Sequence, residues 1–181
     1  MRPRRTCSGR GPIAVVGGGG TWTARLLRTL TGCPVKELTP CQAVAAAEKG
    51  EYFQAVVVEN FEPRDPRQLS GCAAARWALA TRTGVTVVGL DDGEGRRLAA
   101  ALPGQVYAYS DGRPQADLTA KNVRLRGDRL EFEALTDREL IRMRVPLGDR
   151  PRLYDHLAAL AGALAVGVPL ERAADLLSSG R

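Results

Sequence analysis

Residues 13–27 read IAVVGGGGTWTARLL, and this stretch decides the fold. Ile13–Val16 is a short, wholly apolar run, the pattern of a strand buried on both faces. Gly17-Gly18-Gly19-Gly20 interrupts it. From Thr21 to Leu30 the apolar residues then recur at helical spacing, until Gly32 ends the pattern. The unit is a strand, a glycine loop and a helix.

The same alternation continues outward. Ala43–Lys49 reads as a second helix closed by Gly50, and Ala55-Val56-Val57-Val58 as a second buried strand. Pro63 and Pro66 mark residues 60–66 as a loop, followed by a helix over Ala73–Ala80. Val85–Val88 is a third strand, running into Gly89-Leu90-Asp91-Asp92. Glu94–Leu102 is helical and Gln105–Tyr109 is a strand. Strands alternating with helices predict an α/β fold with a mainly parallel sheet and helices on both faces. The pattern then changes to a small antiparallel segment near residues 117–145. Its strands are Asp117–Leu125, Arg129–Leu135 and Leu140–Val145, the first two joined by a turn at Gly127-Asp128. Leu153–Leu164 is an Ala/Leu-rich helix, halted by Gly167-Val168-Pro169 before a last helix over Leu170–Leu177. Leu153, Leu157, Leu160 and Leu164 form the stripe expected to bury on the sheet. His156 lies off that stripe and is expected to be exposed, with no assigned role.

With 181 residues and 44% hydrophobic content, the chain supports one ordinary core. Residues 1–11 carry four Arg and few apolar side chains, and read as a disordered basic arm ahead of a single domain over residues 12–178. No apolar run approaches the ~20 residues needed to span a bilayer. The basic N-terminus has no apolar segment behind it to make a secretory signal. A cytoplasmic protein with no membrane association is the expectation. The net charge of +6 is spread along the chain, without a basic stripe interleaved with aromatics, which disfavours nucleic acid as a partner. A protein partner or a homo-oligomer is expected instead. Cys7, Cys33, Cys41 and Cys72 form no C-x-x-C pair, and there is one histidine. That combination argues against a zinc site and a Ser-His-Asp triad, and predicts buried free thiols.

The glycine loop is the principal candidate site. Backbone N–H groups at a helix N-terminus attract phosphate through unpaired donors and the helix dipole. A working P-loop adds a lysine and a Ser/Thr hydroxyl for Mg²⁺. The stretch Gly17–Thr23 contains no lysine; Thr21 or Thr23 could hold a metal, and Arg25 is one turn away from the loop. The loop reads either as a phosphate cradle or as a vestigial tight turn. Glu59, Asp91 and Asp92 follow strand ends and would face the same crevice, since ligands of such sheets sit beyond the carboxyl ends of the strands. They read either as metal or ribose ligands, or as the ordinary polar residues of loops.

Together these residues resemble the central ATPase domain of the Mur ligase family. Ile13–Leu27 is similar to the flanks of that family's G-T-N-G-K-T/S-T loop, about one residue short and without the lysine. Thr39-Pro40 resembles a Thr-Pro pair of the muramyl-tripeptide synthetase branch. Val57-Val58-Glu59 is similar to the strand that ends in the magnesium-associated glutamate. Val87–Asp92 resembles V-L-N-A-D-D, with Gly89 for Asn, and Gln115–Val123 the A-D-x-x-A-x-N-V strand. Val145–Gly148 and Tyr154–Pro169 resemble L-P-L-x-G-x-x-N-x-Y-N-x-L-A-A with its trailing G-V-P. The resemblance spans roughly residues 11–178. It implies a P-loop-like fold, ATP and Mg²⁺ as cofactors, and a nucleotide site of Gly17, Gly18, Gly19, Gly20, Thr21, Asp91, Asp92 and Asp155. Thr21 and Glu59 would be the metal ligands.

The departures point away from ligase chemistry. The family's adenine-contacting asparagines would fall at Arg152 and Asp155, and its carbamylated lysine near Ala75 or Arg76. The segment between Glu59 and Gly84 is short, and the family's flanking substrate domains have no counterpart in the chain. Acyl-phosphate chemistry needs the metal, the lysine clamp and a closing second domain. The sequence therefore assigns no catalytic residue. It reads as a pseudoenzyme: a Mur-ligase-like binding or scaffolding module linked to cell-envelope or stress functions. The alternative is an ATP-dependent carboxylate–amine ligase or nucleotide-binding subunit completed by a partner chain.

Overall fold

The computed structural model describes residues 11–17, 21–59, 83–146 and 153–179. Strands β1 (Ile13–Val16), β2 (Val35–Leu38), β3 (Phe53–Val58), β4 (Thr83–Gly89), β5 (Val106–Ser110), β6 (Leu118–Arg126), β7 (Arg129–Leu135) and β8 (Leu140–Pro146) form one sheet. Its order is β2-β1-β3-β4-β5-β6-β7-β8. Pairing is parallel from β2 through β6 and antiparallel from β6 through β8. The helices are α1 (Thr21–Thr31), α2 (Pro40–Glu48), α3 (Gly93–Ala101), α4 (Leu153–Ala165) and α5 (Leu170–Ser178). This is the α/β architecture predicted from the sequence, with the antiparallel segment continuing the parallel sheet. The expected loop at 60–66, the helix at 73–80 and the basic arm lie outside the described residues.

Each buried strand feeds two apolar layers, because successive side chains point to opposite faces. Ile13, Val15, Ala55, Val57, Val85 and Val87 pack with Leu27 and Leu30 of α1 and with α4 and α5. Ala14, Val16, Val56, Val58 and Val88 face the other way, onto Ala43, Ala46 and Ala47 of α2 and Leu98 of α3. Burial on both sides explains why these strands read as continuous apolar runs.

Local signals fix the helix ends. Gly32 (φ 67), Gly50 (φ 71) and Gly167 (φ 87) follow α1, α2 and α4 in the left-handed region. Thr39-Pro40 opens α2 with a capping box. The Thr39 hydroxyl accepts from the Gln42 N–H at 3.4 Å, and the Gln42 side chain accepts from the Thr39 N–H at 2.9 Å.

Three expectations are corrected. Strand β2 was not foreseen: it is a four-residue edge strand whose Lys36 and Glu37 are exposed, so it carries no buried-strand signature. His156 is buried rather than exposed. The reason is that α4 is enclosed nearly all round, from His156 to Ala163, by the sheet and the neighbouring helices. A helix buried on every side has no polar stripe to assign residues to. The free-thiol reading fails at Cys33, which is buried and disulfide-bonded, while Cys41 is free but exposed.

Two glycines allow close approaches. On Gly162 of α4 a Cβ would lie 2.8 Å from Leu27 Cδ2 and 2.9 Å from Val57 Cγ2, so α4 nests between α1 and β3. On Gly95 of α3 a Cβ would overlap the carbonyl oxygen of Gly89, which pins α3 against the end of β4. Backbone cannot yield as a side-chain tip does. Gly95→Ala should therefore lower stability by about 1–3 kcal/mol despite the helical preference for Ala. Gly112→Ala, with nothing within 4 Å, should be near neutral in the same denaturant titration.

Candidate functional site

Because β1, β3, β4 and β5 are adjacent and parallel, their carboxyl ends line one edge of the sheet. Gly17 follows β1, Glu59 follows β3, Leu90-Asp91-Asp92 follows β4, and Asp111 follows Ser110 of β5. Helix α4 begins at the same edge, where the Tyr154 hydroxyl donates to Asp111 Oδ2 at 2.8 Å. The sequence-predicted Glu59, Asp91, Asp92 and Asp155 lie close enough to the Tyr109 hydroxyl for their charges to act on it. Burial raises the Tyr109 phenol far above its ordinary pKa, and the charges of Glu59, Asp92, Asp155 and Asp91 raise it further. Tyr154 is raised as well, by burial, by its bond to Asp111 and by the charges of Asp91, Asp111 and Asp92. The edge is acidic.

Each acid has a structural place. The Glu59 N–H donates to Val16 O at 3.1 Å, stitching the end of β3 to β1. Its side chain lies against Gly17, where an added Cβ would overlap the carboxylate and sit 2.8 Å from Glu59 Cβ. Only glycine fits there. The Asp91 carboxylate accepts from the Ser110 hydroxyl at 2.5 Å and from the Asp111 N–H at 3.1 Å, tying β4 to β5. Ser110 Oγ in turn accepts from the N–H groups of Gly112 and Arg113. Arg96 donates to the carbonyls of Leu90 and Asp91 at 2.9 and 3.0 Å. Asp92 caps α3, its Oδ1 accepting from the Gly95 N–H at 2.5 Å.

Gly18, Gly19, Gly20 and Arg152 lie outside the described residues, and Thr21 is the first residue of α1. In the first turn of α1, Trp22 Nε1 and Thr23 Oγ1 are buried without a hydrogen-bond partner among the described residues. The Arg25 guanidinium lies 5.4 Å from the centre of the Trp22 ring, engaged with that face. Asp91 and Asp92 already use carboxylate oxygens within the fold, and no group of three or more potential metal ligands forms among the described residues. Glu59, beside the first loop glycine, is the acid best placed toward a metal there. Sequence reasoning missed Ser110, Asp111 and Tyr154. The available signal was Ser110-Asp111-Gly112 directly after a strand, the same strand-end rule that found Asp91.

No protein-family model matches the sequence, and no curated protein sequence matches it. Solved structures do. The chain is similar to MurF from Acinetobacter baumannii, with TM-score 0.79 and 18% identity over 93% of this chain and 45% of that one. It is comparably similar to a UDP-N-acetylmuramoyl-L-alanyl-D-glutamate–2,6-diaminopimelate ligase, with TM-score 0.76 and 16% identity over 96% and 47%. A MurF ligase from Thermotoga maritima, solved in complex with ADP, gives TM-score 0.67 and 11% identity over 91% and 48%. The fold is thus the one found within Mur ligases, and this chain spans less than half the length of these three. The near-equal scores favour no branch of that group.

The bonds at Asp91 and Asp92 give them a role in the fold whatever binds the crevice. Asp92→Ala should cost about 1 kcal/mol as a lost cap. Asp91→Ala should cost about 1–3 kcal/mol by leaving the buried Ser110 hydroxyl without its acceptor. Both losses should appear in chemical denaturation without any nucleotide present.

Proposed function

We propose that this chain is a Mur-ligase-like domain without ligase chemistry, acting as a binding or scaffolding module in cell-envelope or stress functions. The observation that carries the reading is the charge of the strand-end crevice. The charges of Glu59, Asp91, Asp92 and Asp155 act on Tyr109, and the loop from Gly17 to Thr23 supplies no cation. A phosphate about 4 Å from one such carboxylate is opposed by roughly 4 kcal/mol at an effective dielectric of about 20. The α1 N-terminus returns about 0.3–1 kcal/mol, and up to ~2 in favourable geometry. Repulsion wins unless a metal, or a cation from elsewhere in the chain or from a partner, intervenes. That Mur ligase structures include one holding ADP fits an ancestral nucleotide site at this edge.

A second reading is an ATP-dependent carboxylate–amine ligase or nucleotide-binding subunit completed by a partner chain. It is favoured by the hydrogen-bonding groups of Trp22 and Thr23 in the first turn of α1, unused among the described residues, and by Glu59 beside Gly17. Phosphate release from Mg²⁺-ATP separates the two. The non-catalytic module should show no release above a buffer blank, with Glu59→Gln indistinguishable from the parent chain. Turnover that disappears in the folded Glu59→Gln variant would establish the second reading instead.

A further inference from the structure

The antiparallel ribbon carries a charge pattern that ends abruptly. Register-paired residues share a face, and the outward rows run across the strands in alternating sign. Lys121 of β6, Glu133 of β7 and Arg142 of β8 make one row; Arg124, Glu131 and Arg144 make the next. Both central carboxylates are already shared. Glu131 pairs with Arg126 at 3.4 Å and with Arg144 at 3.3 Å; Glu133 pairs with Arg142 at 3.4 Å and accepts from Asn122 at 2.6 Å. The side chains of Arg142 and Arg144 remain 80% and 62% exposed. Base, acid, base is the order across the sheet, and β8 is its last strand among the described residues. The next strand in that alternation would be acidic.

The backbone supports the same conclusion. An edge strand presents unpaired N–H and C=O groups that pair readily with an extended chain. On the inward face Met143 and Val145 are buried, with α5 packed against β8. An added strand would thus alternate acidic residues outward with apolar residues toward α5.

We propose that the outer edge of β8, unpaired among the described residues, takes up an extended acidic segment of a partner protein, with Glu or Asp at alternate positions and apolar residues between them. A second copy of this edge is unsuitable, because antiparallel pairing of β8 with itself sets Arg142 against Arg144 on both sides. The β2 edge fails too: Lys36 and Glu37 are adjacent and project to opposite faces, so it cannot offer two acids in line. This surface uses no residue of the strand-end crevice and stands whether or not that crevice binds nucleotide.

The chain's own β7 supplies the probe. A capped, fluorescent peptide of sequence RLEFEAL, matching residues 129–135, carries Glu-Phe-Glu in the register that already pairs with Arg144 and Arg142. Fluorescence anisotropy against the full chain should show saturable binding. Replacing both peptide glutamates by lysine should weaken it about tenfold or more. N-methylating alternate peptide bonds should abolish it, since a strand pairs through its backbone. On the protein, Arg142→Glu with Arg144→Glu should reverse the preference toward the lysine peptide; the peptide variants test the unmodified chain in case that double variant does not fold. Equal binding of the glutamate and lysine peptides, undiminished binding after N-methylation, no binding at all, or tighter capture of a single-stranded oligonucleotide by the same arginines would each overturn the proposal.

Discussion

The rest of the molecule depends on the two-sided burial of β1 and β3. Ile13, Val15, Ala55 and Val57 face one helical layer, and Ala14, Val16, Val56 and Val58 face the other. Each buried Val or Ile contributes about 1.5–3 kcal/mol, and a register slip of one residue would exchange the two sets. With the centre of the sheet fixed in this way, the parallel neighbours end together. The positions of Gly17, Glu59, Asp91 and Asp111 along one edge follow from that alignment, and the Asp91–Asp111 and Glu59–Gly17 contacts add to it.

What stands at the edge serves the fold first. Asp91 joins β4 to β5, Asp92 starts α3, and Glu59 packs over a glycine that leaves it room. A ligand site assembled from such residues has to share them with the scaffold. In a phosphate-binding site that sharing is tolerable when cations balance the acids. Here Arg25 is turned onto the Trp22 ring and Arg96 onto the carbonyls of Leu90 and Asp91, so these two guanidinium groups are engaged within the fold. The Mur ligase fold is kept, and the acids at its strand-end edge are tied into that fold.

Most of the architecture was legible because the strands and helices obey local rules. Continuous apolar runs marked β1, β3 and β4. Glycines marked the ends of α1, α2 and α4, where the structure gives them positive φ, and the turn at Gly127-Asp128 marked the start of β7. Edge strand β2 was not legible, since two of its four residues face water and resemble a loop. His156 was misplaced because its burial comes from elements far away in sequence. Glu59, Asp91 and Asp92 were found through the strand-end rule and Asp155 through the family resemblance, yet the bonds of Asp91 and Asp92 to Ser110, Asp111 and Gly95 depend on how strands and helix meet. The ribbon's alternating charge rows were equally hidden: Glu131 and Arg144 become neighbours only through the register of β7 with β8.

The central claim, that the crevice no longer accepts a nucleotide unaided, is tested most directly by isothermal titration calorimetry with Mg²⁺-ATP, and with ADP and AMP as comparisons. The account predicts no saturable heat for any of the three at millimolar nucleotide. Micromolar binding that weakens from ATP through ADP to AMP would contradict it, showing that the loop at Gly17 still cradles phosphate in spite of the surrounding carboxylates.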